Sequence, residues 1–137
     1  MNKNQIEIKL LLNSVNNNCG DELKPASYEK IEKFKINAQQ KGVSDEVINQ
    51  LADLYLVSDN FMAEVIMGFH PCNDKLLFEW WDEKELWIGQ RDFNTLRWAN
   101  GKFCLGNASS ISYSEKDEYD TLTQLIEGCI KEIKKLD

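Results

Sequence analysis

The spacing of hydrophobic positions changes along the chain from a helical repeat to an alternating one. In the first half, apolar residues recur every three or four positions, as on the buried face of a helix. In the second half, apolar and polar residues alternate, as in strands with one buried face. The order of these patterns predicts an α+β domain with N-terminal helices, a central antiparallel β-meander and a C-terminal helix docked on the sheet.

Two helices are predicted after a loop at residues 16–25. Pro25 can open the first helix, and Gly42 fits its C-terminal cap. The inner face of this helix would carry Tyr28, Ile31, Phe34 and Ala38. Ser44 fits the N-cap of the second helix, because carboxylates follow in its first turn. The apolar stripe of the second helix would be Val47, Ile48, Leu51, Leu54 and Tyr55.

The N-terminal residues 5–17 fit either a helix or a strand. A helix would place on one face Ile8, Leu11, Leu12 and Val15. A strand would place on one face Ile6, Ile8 and Leu10. The pattern of these residues leaves both structures open.

The stretch "LRWANGKFCLG", residues 96–106, predicts a β-hairpin. Asn100 and Gly101 suit the two positive φ angles of a type I′ turn, and a two-residue loop then pairs Trp98 with Phe103. One face of the hairpin would carry Leu96, Trp98, Phe103 and Leu105. The opposite face would carry Arg97, Ala99, Lys102 and Cys104. A slip of one residue would reverse every side chain, so this pattern fixes the register.

The stretch "FEWWDEKELW", residues 78–87, holds three of the four tryptophans among several carboxylates. Alternation predicts a strand whose core face carries Leu76, Phe78 and Trp80, followed by a strand with Leu86 and Ile88. Trp81 and Trp87 would then lie on the opposite face and could pair across the strands. A helix could cover that pair, which is the favoured arrangement, or it could be exposed as a contact site.

The chain ends in a strongly amphipathic helix. Asp120 or Thr121 can cap it, and Thr121 with Gln124 forms a capping box. Its apolar stripe would be Leu122, Leu125, Ile126, Cys129, Ile130 and Ile133.

Length and charge narrow the class of protein. A chain of 137 residues fits one domain spanning residues 1–137. The net charge of -7 would repel nucleic-acid phosphates and anionic lipid, so we expect neither as a partner. An acidic surface suits solubility or a basic protein partner. No signal peptide core and no apolar run of membrane-spanning length is visible, which indicates a cytoplasmic protein.

Residues that carry chemistry are sparse in the sequence. His70, the one histidine, lies two positions from Cys72, and the two could be a nucleophile–base pair or metal ligands. No second pair at ligand spacing accompanies them, so we expect no metal and no cofactor. The four cysteines are scattered, which is typical of buried thiols. The carboxylate pairs, such as Asp82 with Glu83, fit turns and helix caps first. No catalytic motif is present, and we expect no enzymatic activity.

From about Tyr28 to Leu136 the arrangement resembles the SUKH superfamily. Residues 31–61, "IEKFKINAQQKGVSDEVINQLADLYLVSDNF", look like the opening helices of that group. Residues 75–106, "KLLFEWWDEKELWIGQRDFNTLRWANGKFCLG", look like its sheet, and residues 113–133, "YSEKDEYDTLTQLIEGCIKEI", look like its closing helix. The group includes cell-wall synthesis regulators of yeast and bacterial immunity proteins that neutralise toxins. The resemblance implies a non-enzymatic binding domain.

Two functions follow as expectations. The first is a protein-binding domain, possibly an immunity protein or a regulatory module, whose partner is a basic protein such as a toxin domain. Its contact surface would combine aromatic anchors with an acidic rim, namely Trp81, Trp87, Glu79, Asp82, Glu83 and Glu85. The alternative is a small-ligand-binding or catalytic domain with a pocket near His70 and Cys72.

Overall fold

The computed structural model describes residues 1–15, 23–63, 67–91, 94–107 and 113–135. Within these residues lie the four α-helices α1 (Lys3–Val15), α2 (Tyr28–Lys41), α3 (Asp45–Val57) and α4 (Leu122–Lys135). The N-terminal segment is therefore a helix as far as Val15, and the strand alternative is wrong. The burial follows the helical spacing, because Ile8 and Leu12 are fully buried whereas Ile6 and Leu10 are exposed.

Capping residues set the ends of α2 and α3. Gly42 ends α2 with a φ of 90°, a left-handed angle that costs glycine little, as the sequence predicts. Ser44 caps α3 by accepting a hydrogen bond from the Val47 amide. The start of α2 differs from the prediction, because Ser27 is the N-cap and the helix opens at Tyr28, three positions after Pro25. Tyr28 consequently projects from the first turn and is 82% exposed, so its placement on the inner face was wrong.

Six strands form one antiparallel sheet in chain order, a meander. They are β1 (Met62–Ala63), β2 (Met67–Phe69), β3 (Leu86–Arg91), β4 (Asn94–Ala99), β5 (Lys102–Asn107) and β6 (Tyr113–Tyr119). Helices packed against an antiparallel meander make the fold α+β, as predicted from the change of period.

The β4–β5 hairpin has the predicted register. Asn100 and Gly101 have φ angles of 52° and 79°, as a type I′ turn requires. Trp98 pairs with Phe103 and Leu96 with Leu105. Phe103 is buried, whereas Trp98 is half-buried and packs at the edge of the core.

One apolar cluster joins the helices to the first face of the sheet, which carries Leu86, Ile88, Leu96, Phe103 and Leu105. Helix α4 packs against β5 and β6 and adds Leu122, Leu125, Ile126, Cys129 and Ile130 to that cluster. Its capping box is formed as predicted, since the amides of Thr121 and Gln124 and their side-chain oxygens bond reciprocally at 3.2 and 3.1 Å. The Ile133 side chain and Cys19 lie outside the described parts. None of the described helices has the length and apolar character needed to cross a membrane.

The predicted strand at residues 76–80 is wrong. The β2–β3 connection, residues 70–85, instead contains two short 3₁₀ helices, Lys75–Phe78 and Trp81–Glu83. Asp74 accepts a hydrogen bond from the Leu76 amide at 2.9 Å and so starts a turn where the alternation predicted extended chain. The turn buries Leu77 completely and leaves Leu76 partly exposed, the reverse of the prediction.

Candidate functional site

The second face of the sheet, opposite the helices, places Trp87 beside Arg97. These residues are direct cross-strand neighbours on β3 and β4. The register of this strand pair shifts between Trp87 and Gly89, and such bulges re-aim side chains. The indole nitrogen of Trp87 donates to the Gly89 carbonyl at 3.0 Å, which fixes its ring over the second face.

Four side chains meet on this face, and together we call them the aromatic stack: His70, Trp80, Trp87 and Arg97. The rings of Trp80 and Trp87 stack with centroids 4.7 Å apart and an angle of 14° between their planes. The Arg97 guanidinium carbon lies 4.5 Å from the Trp80 ring centroid, within cation–π distance. His70 meets Trp87 edge-on at 4.8 Å. Trp80 was predicted to lie in the core, but it covers the second face. The favoured prediction, that a helix covers this face, is therefore wrong for the part under Trp80.

Glu85 reaches the same face from the last residue of the β2–β3 connection. Its Oε1 lies 3.2 Å from Nη1 of Arg97, and both side chains are buried. Nε of Arg97 donates to the Thr95 hydroxyl at 2.7 Å. Glu85 therefore belongs to an internal ion pair and not to the acidic rim in which the sequence placed it.

Trp81 turns away from the aromatic stack. It begins the second 3₁₀ helix, where consecutive side chains diverge by about 120° because each turn has three residues. Its indole nitrogen donates to the carbonyl of Lys41 at the end of α2, at 3.0 Å. The Lys84 ammonium lies 5.0 Å from the Trp81 ring centroid. The predicted cross-strand pair of Trp81 and Trp87 is therefore wrong, and Trp80 occupies the place expected for Trp81.

Three of the predicted rim carboxylates do reach solvent. Glu79, Asp82 and Glu83 are exposed around the half-buried Trp81. We call residues 79–84 the contact segment. Lys84 ends it in a left-handed conformation with a φ of 63°, and its amide donates to the Trp81 carbonyl at 2.8 Å.

His70 and Cys72 do not form the nucleophile–base pair considered from the sequence. The Cys72 thiol donates to the Lys30 carbonyl at 3.5 Å, and its backbone amide donates to Asp59. Burial raises the pKa of this thiol to about 11, with a smaller contribution from Asp59, so it is protonated at neutral pH. His70 instead faces Trp87, and burial lowers its pKa.

Metal-binding groups and cavities in the described parts of the chain bear on the alternative of a ligand-binding or catalytic domain. No group of three or more histidine, cysteine or carboxylate side chains there could hold a metal ion. A cavity of about 620 Å³ lies between α4 and the ends of β5 and β6, and four of its charged lining residues form the ion pairs Lys102–Asp120 and Lys131–Glu127. A second cavity, of about 490 Å³, is lined by residues of α1, α3 and α4 and by the residue before α4. These are Asn4, Glu7, Gln50, Thr121, Thr123, Gln124 and Glu127.

Arg97 is the member of this site that sequence reasoning missed. The alternation placed it on the second face, but as an ordinary polar position. One signal was present, because Gly106 lies diagonally across from it on β5 and a Cβ at Gly106 would be 2.8 Å from its guanidinium carbon. A glycine facing a long side chain indicates space kept for that side chain.

Comparisons of the chain with protein-family models, curated proteins and solved structures found no match.

Proposed function

We propose that this chain is a non-enzymatic protein-binding domain whose contact segment binds a basic protein. The observation that carries the proposal is the exposure of three carboxylates, Glu79, Asp82 and Glu83, all within two positions of the half-buried Trp81 along the chain. Interface hot spots are enriched in tryptophan, and surrounding polar residues form the rim. Trp81 supplies the anchor and the carboxylates supply the rim.

The charge of the whole chain supports a basic partner. A net charge of -7 produces a negative field, which attracts a positively charged protein and speeds its encounter. The contact segment itself carries three carboxylates against the single ammonium of Lys84, so its local charge has the same sign as the field. Field and segment together favour basic partners over acidic ones.

The anchoring of the contact segment also supports recognition. Trp80 packs into the aromatic stack, and Trp81 is held by the Lys41 carbonyl. A surface already held in its binding shape loses less conformational freedom on association than a mobile loop. Trp87, which stacks on Trp80 from β3, and Glu85, which pairs with Arg97, serve this anchoring and leave direct contact to the exposed residues.

The most concrete biological form of this proposal is an immunity protein that neutralises a toxin domain in the cytoplasm. It rests on the resemblance of residues 31–61, 75–106 and 113–133 to the SUKH superfamily. A regulatory binding module is the other form that the same resemblance implies. Co-expression with the toxic domain encoded by a neighbouring gene separates the two, because an immunity protein restores growth.

Capture of partners from a lysate of the source organism tests the contact segment. The immobilised parent is compared with Trp81→Ala and with the double variant Asp82→Asn/Glu83→Gln, and bound proteins are quantified by mass spectrometry. The matched control is Glu29→Gln/Glu32→Gln, which removes two exposed carboxylates from α2. We expect a basic protein that the parent and control retain and both contact-segment variants lose.

Purified partner then has to reproduce this order in direct binding, with circular dichroism showing that each variant folds. Equal binding by the parent and by both folded contact-segment variants would remove the segment from the interface.

A further inference from the structure

Arg97 contacts the contact segment from both of its ends. Trp80 belongs to the segment's first turn, and the Arg97 guanidinium lies 4.5 Å from its ring centroid. Glu85 follows the last residue of the segment, and its Oε1 forms an ion pair with Nη1 of Arg97 at 3.2 Å. One side chain on β4 therefore holds the chain immediately before and immediately after the exposed turn.

The surroundings of Arg97 suit a guanidinium in particular. Its planar group lies against the Trp80 ring while its nitrogens bond Thr95 and Glu85 in two directions. Lysine has a point charge on a flexible stem and cannot stack and bond in both directions at once. Gly106 keeps the space that this planar group fills, because a Cβ there would be 2.8 Å from the guanidinium carbon.

Burying the Arg97–Glu85 ion pair costs desolvation free energy, which the attraction of the two charges offsets only in good geometry. Arg97 is 0% exposed and Glu85 is 8% exposed. Removing either partner leaves the other charge buried without its compensation, whereas well-packed apolar residues can often replace such pairs without loss of stability. The pair is therefore poor evidence for a role in stability alone, and its position at both ends of the exposed turn indicates a role in shape.

We propose that Arg97 is a positioning residue, which orders residues 79–84 so that Trp81 and the three exposed carboxylates meet the basic partner in a fixed arrangement. The part concerning the partner rests on the function proposed above. The ordering itself is a property of the unbound protein. Loss of the guanidinium should loosen the contact segment first, because Trp80 and Glu85 would no longer be fixed to the sheet.

Residue-resolved hydrogen exchange of the unbound protein tests the ordering. The reporters are the amides of Glu83, Lys84 and Glu85, which donate to the carbonyls of Trp80 and Trp81. In Arg97→Lys we expect their exchange to rise by roughly tenfold or more, because lysine cannot keep both the contact with Trp80 and the bond to Glu85 that hold the turn. The control amides, Leu51 and Leu54 in the buried interior of α3, should exchange as in the parent, because core amides exchange through global unfolding and would accelerate with a general loss of stability.

The matched control variant is Arg91→Lys, the same exchange at the far end of β3, in a residue that pairs with Met67 and Asn94. It should leave the contact segment unchanged. Glu85→Gln is the second test variant, since it keeps an oxygen acceptor and removes the charge. Glu85→Gln should also accelerate the exchange of the reporter amides. If Arg97→Lys does not fold, this variant tests whether the ion pair orders the contact segment.

Unchanged exchange of the reporter amides in a folded Arg97→Lys, or in Glu85→Gln where Arg97→Lys does not fold, would overturn the proposal. Acceleration that extends equally to Leu51 and Leu54 would also overturn it, because Arg97 would then act on overall stability. If the reporters accelerate locally while Trp81→Ala and Asp82→Asn/Glu83→Gln bind the captured partner like the parent, the ordering stands and the proposed contact site fails.

Discussion

Trp98 and Phe103 are cross-strand partners, but they differ in burial. Phe103 is 1% exposed, whereas Trp98 is half-buried at the edge of the core. Truncating a fully buried aromatic side chain removes its transfer free energy and leaves a cavity. We therefore expect Phe103→Ala to lower the free energy of unfolding by about 3 to 5 kcal/mol, and Trp98→Ala by less. Urea unfolding measures both, and an equal loss for the two variants would show that Trp98 is a full member of the core.

His70 couples the stability of the fold to pH. Burial lowers its pKa in the folded protein, while Asp74 acts in the opposite direction. The unfolded chain, with the ordinary value of 6.5, therefore takes up the proton at higher pH than the folded chain. The stability contributed by neutral His70 is complete above 6.5 and is lost as the pH falls through the lower folded value.

The measurement is the free energy of unfolding at about pH 7 and about pH 5 for the parent and for His70→Gln. The parent should lose more stability than the variant over this interval. Asp74→Asn should lose more than the parent, because it removes the charge that favours protonated His70 while keeping an oxygen to cap Leu76. Equal losses in the parent and in His70→Gln would show that this ring does not titrate differently in the folded state.

At the scale of elements, two glycines end or turn the chain by conformation alone. Gly42 and Gly101 have φ angles of 90° and 79°, and a Cβ at either position would meet no atom of the described chain within 4 Å apart from its local backbone and chain neighbours. Alanine at either position should therefore cost about 1 to 2 kcal/mol through left-handed strain without a packing clash. Thermal or urea unfolding checks the loss, and d-alanine introduced at the same positions by chemical synthesis should restore the stability of the parent.

The elements predicted correctly are those whose signals are local. The turn residues Asn100 and Gly101 and the alternation around them agree, so the β4–β5 hairpin could be predicted with its register. Ser44 and Gly42 mark helix ends for the same reason, since a cap needs only its nearest neighbours. The predicted start of α2 at Pro25 was wrong, because Ser27 is a better N-cap and the helix begins after it.

The β2–β3 connection could not be predicted from alternation. Leu76, Phe78 and Trp80 have strand spacing, but Asp74 bonds the Leu76 amide and begins a 3₁₀ helix. Asp74 was the available signal, because aspartate often caps its own downstream amide. The left-handed Lys84 gave no signal, since lysine has no special tendency to that conformation.

The sequence predicted the exposure of some residues of the candidate site but not their arrangement. Glu79, Asp82 and Glu83 are exposed as expected. Glu85 is buried because Arg97, distant in sequence, provides its counter-charge. Sequence alternation gives the face on which a residue lies, but it cannot tell which side chain from another segment will cover that face.

At the scale of the whole molecule, the two faces of the sheet have different uses. The first face joins the helices in the apolar cluster, where α4 contributes a continuous buried stripe. The second face holds a buried arginine, a buried carboxylate and a tryptophan stack beneath the contact segment. Stability arises mainly from the apolar side, because burial of apolar area dominates folding. The polar and aromatic side is then available to shape a surface.

The net charge of -7 makes the association of the proposed partner dependent on salt. Charges separated in solvent are screened over roughly 10 Å at 0.1 M salt, so long-range attraction weakens as salt rises. Stopped-flow measurement with the captured basic protein should show the association rate constant falling steeply from low to physiological salt. Asp82→Asn/Glu83→Gln should lower that rate constant and flatten its salt dependence, whereas Trp81→Ala should mainly speed dissociation. The Glu29→Gln/Glu32→Gln control removes the same charge from α2 and should keep more of the parent's rate and salt dependence. If the control and the contact-segment variant change the rate equally, net charge alone guides the encounter and residues 79–84 have no special part in it.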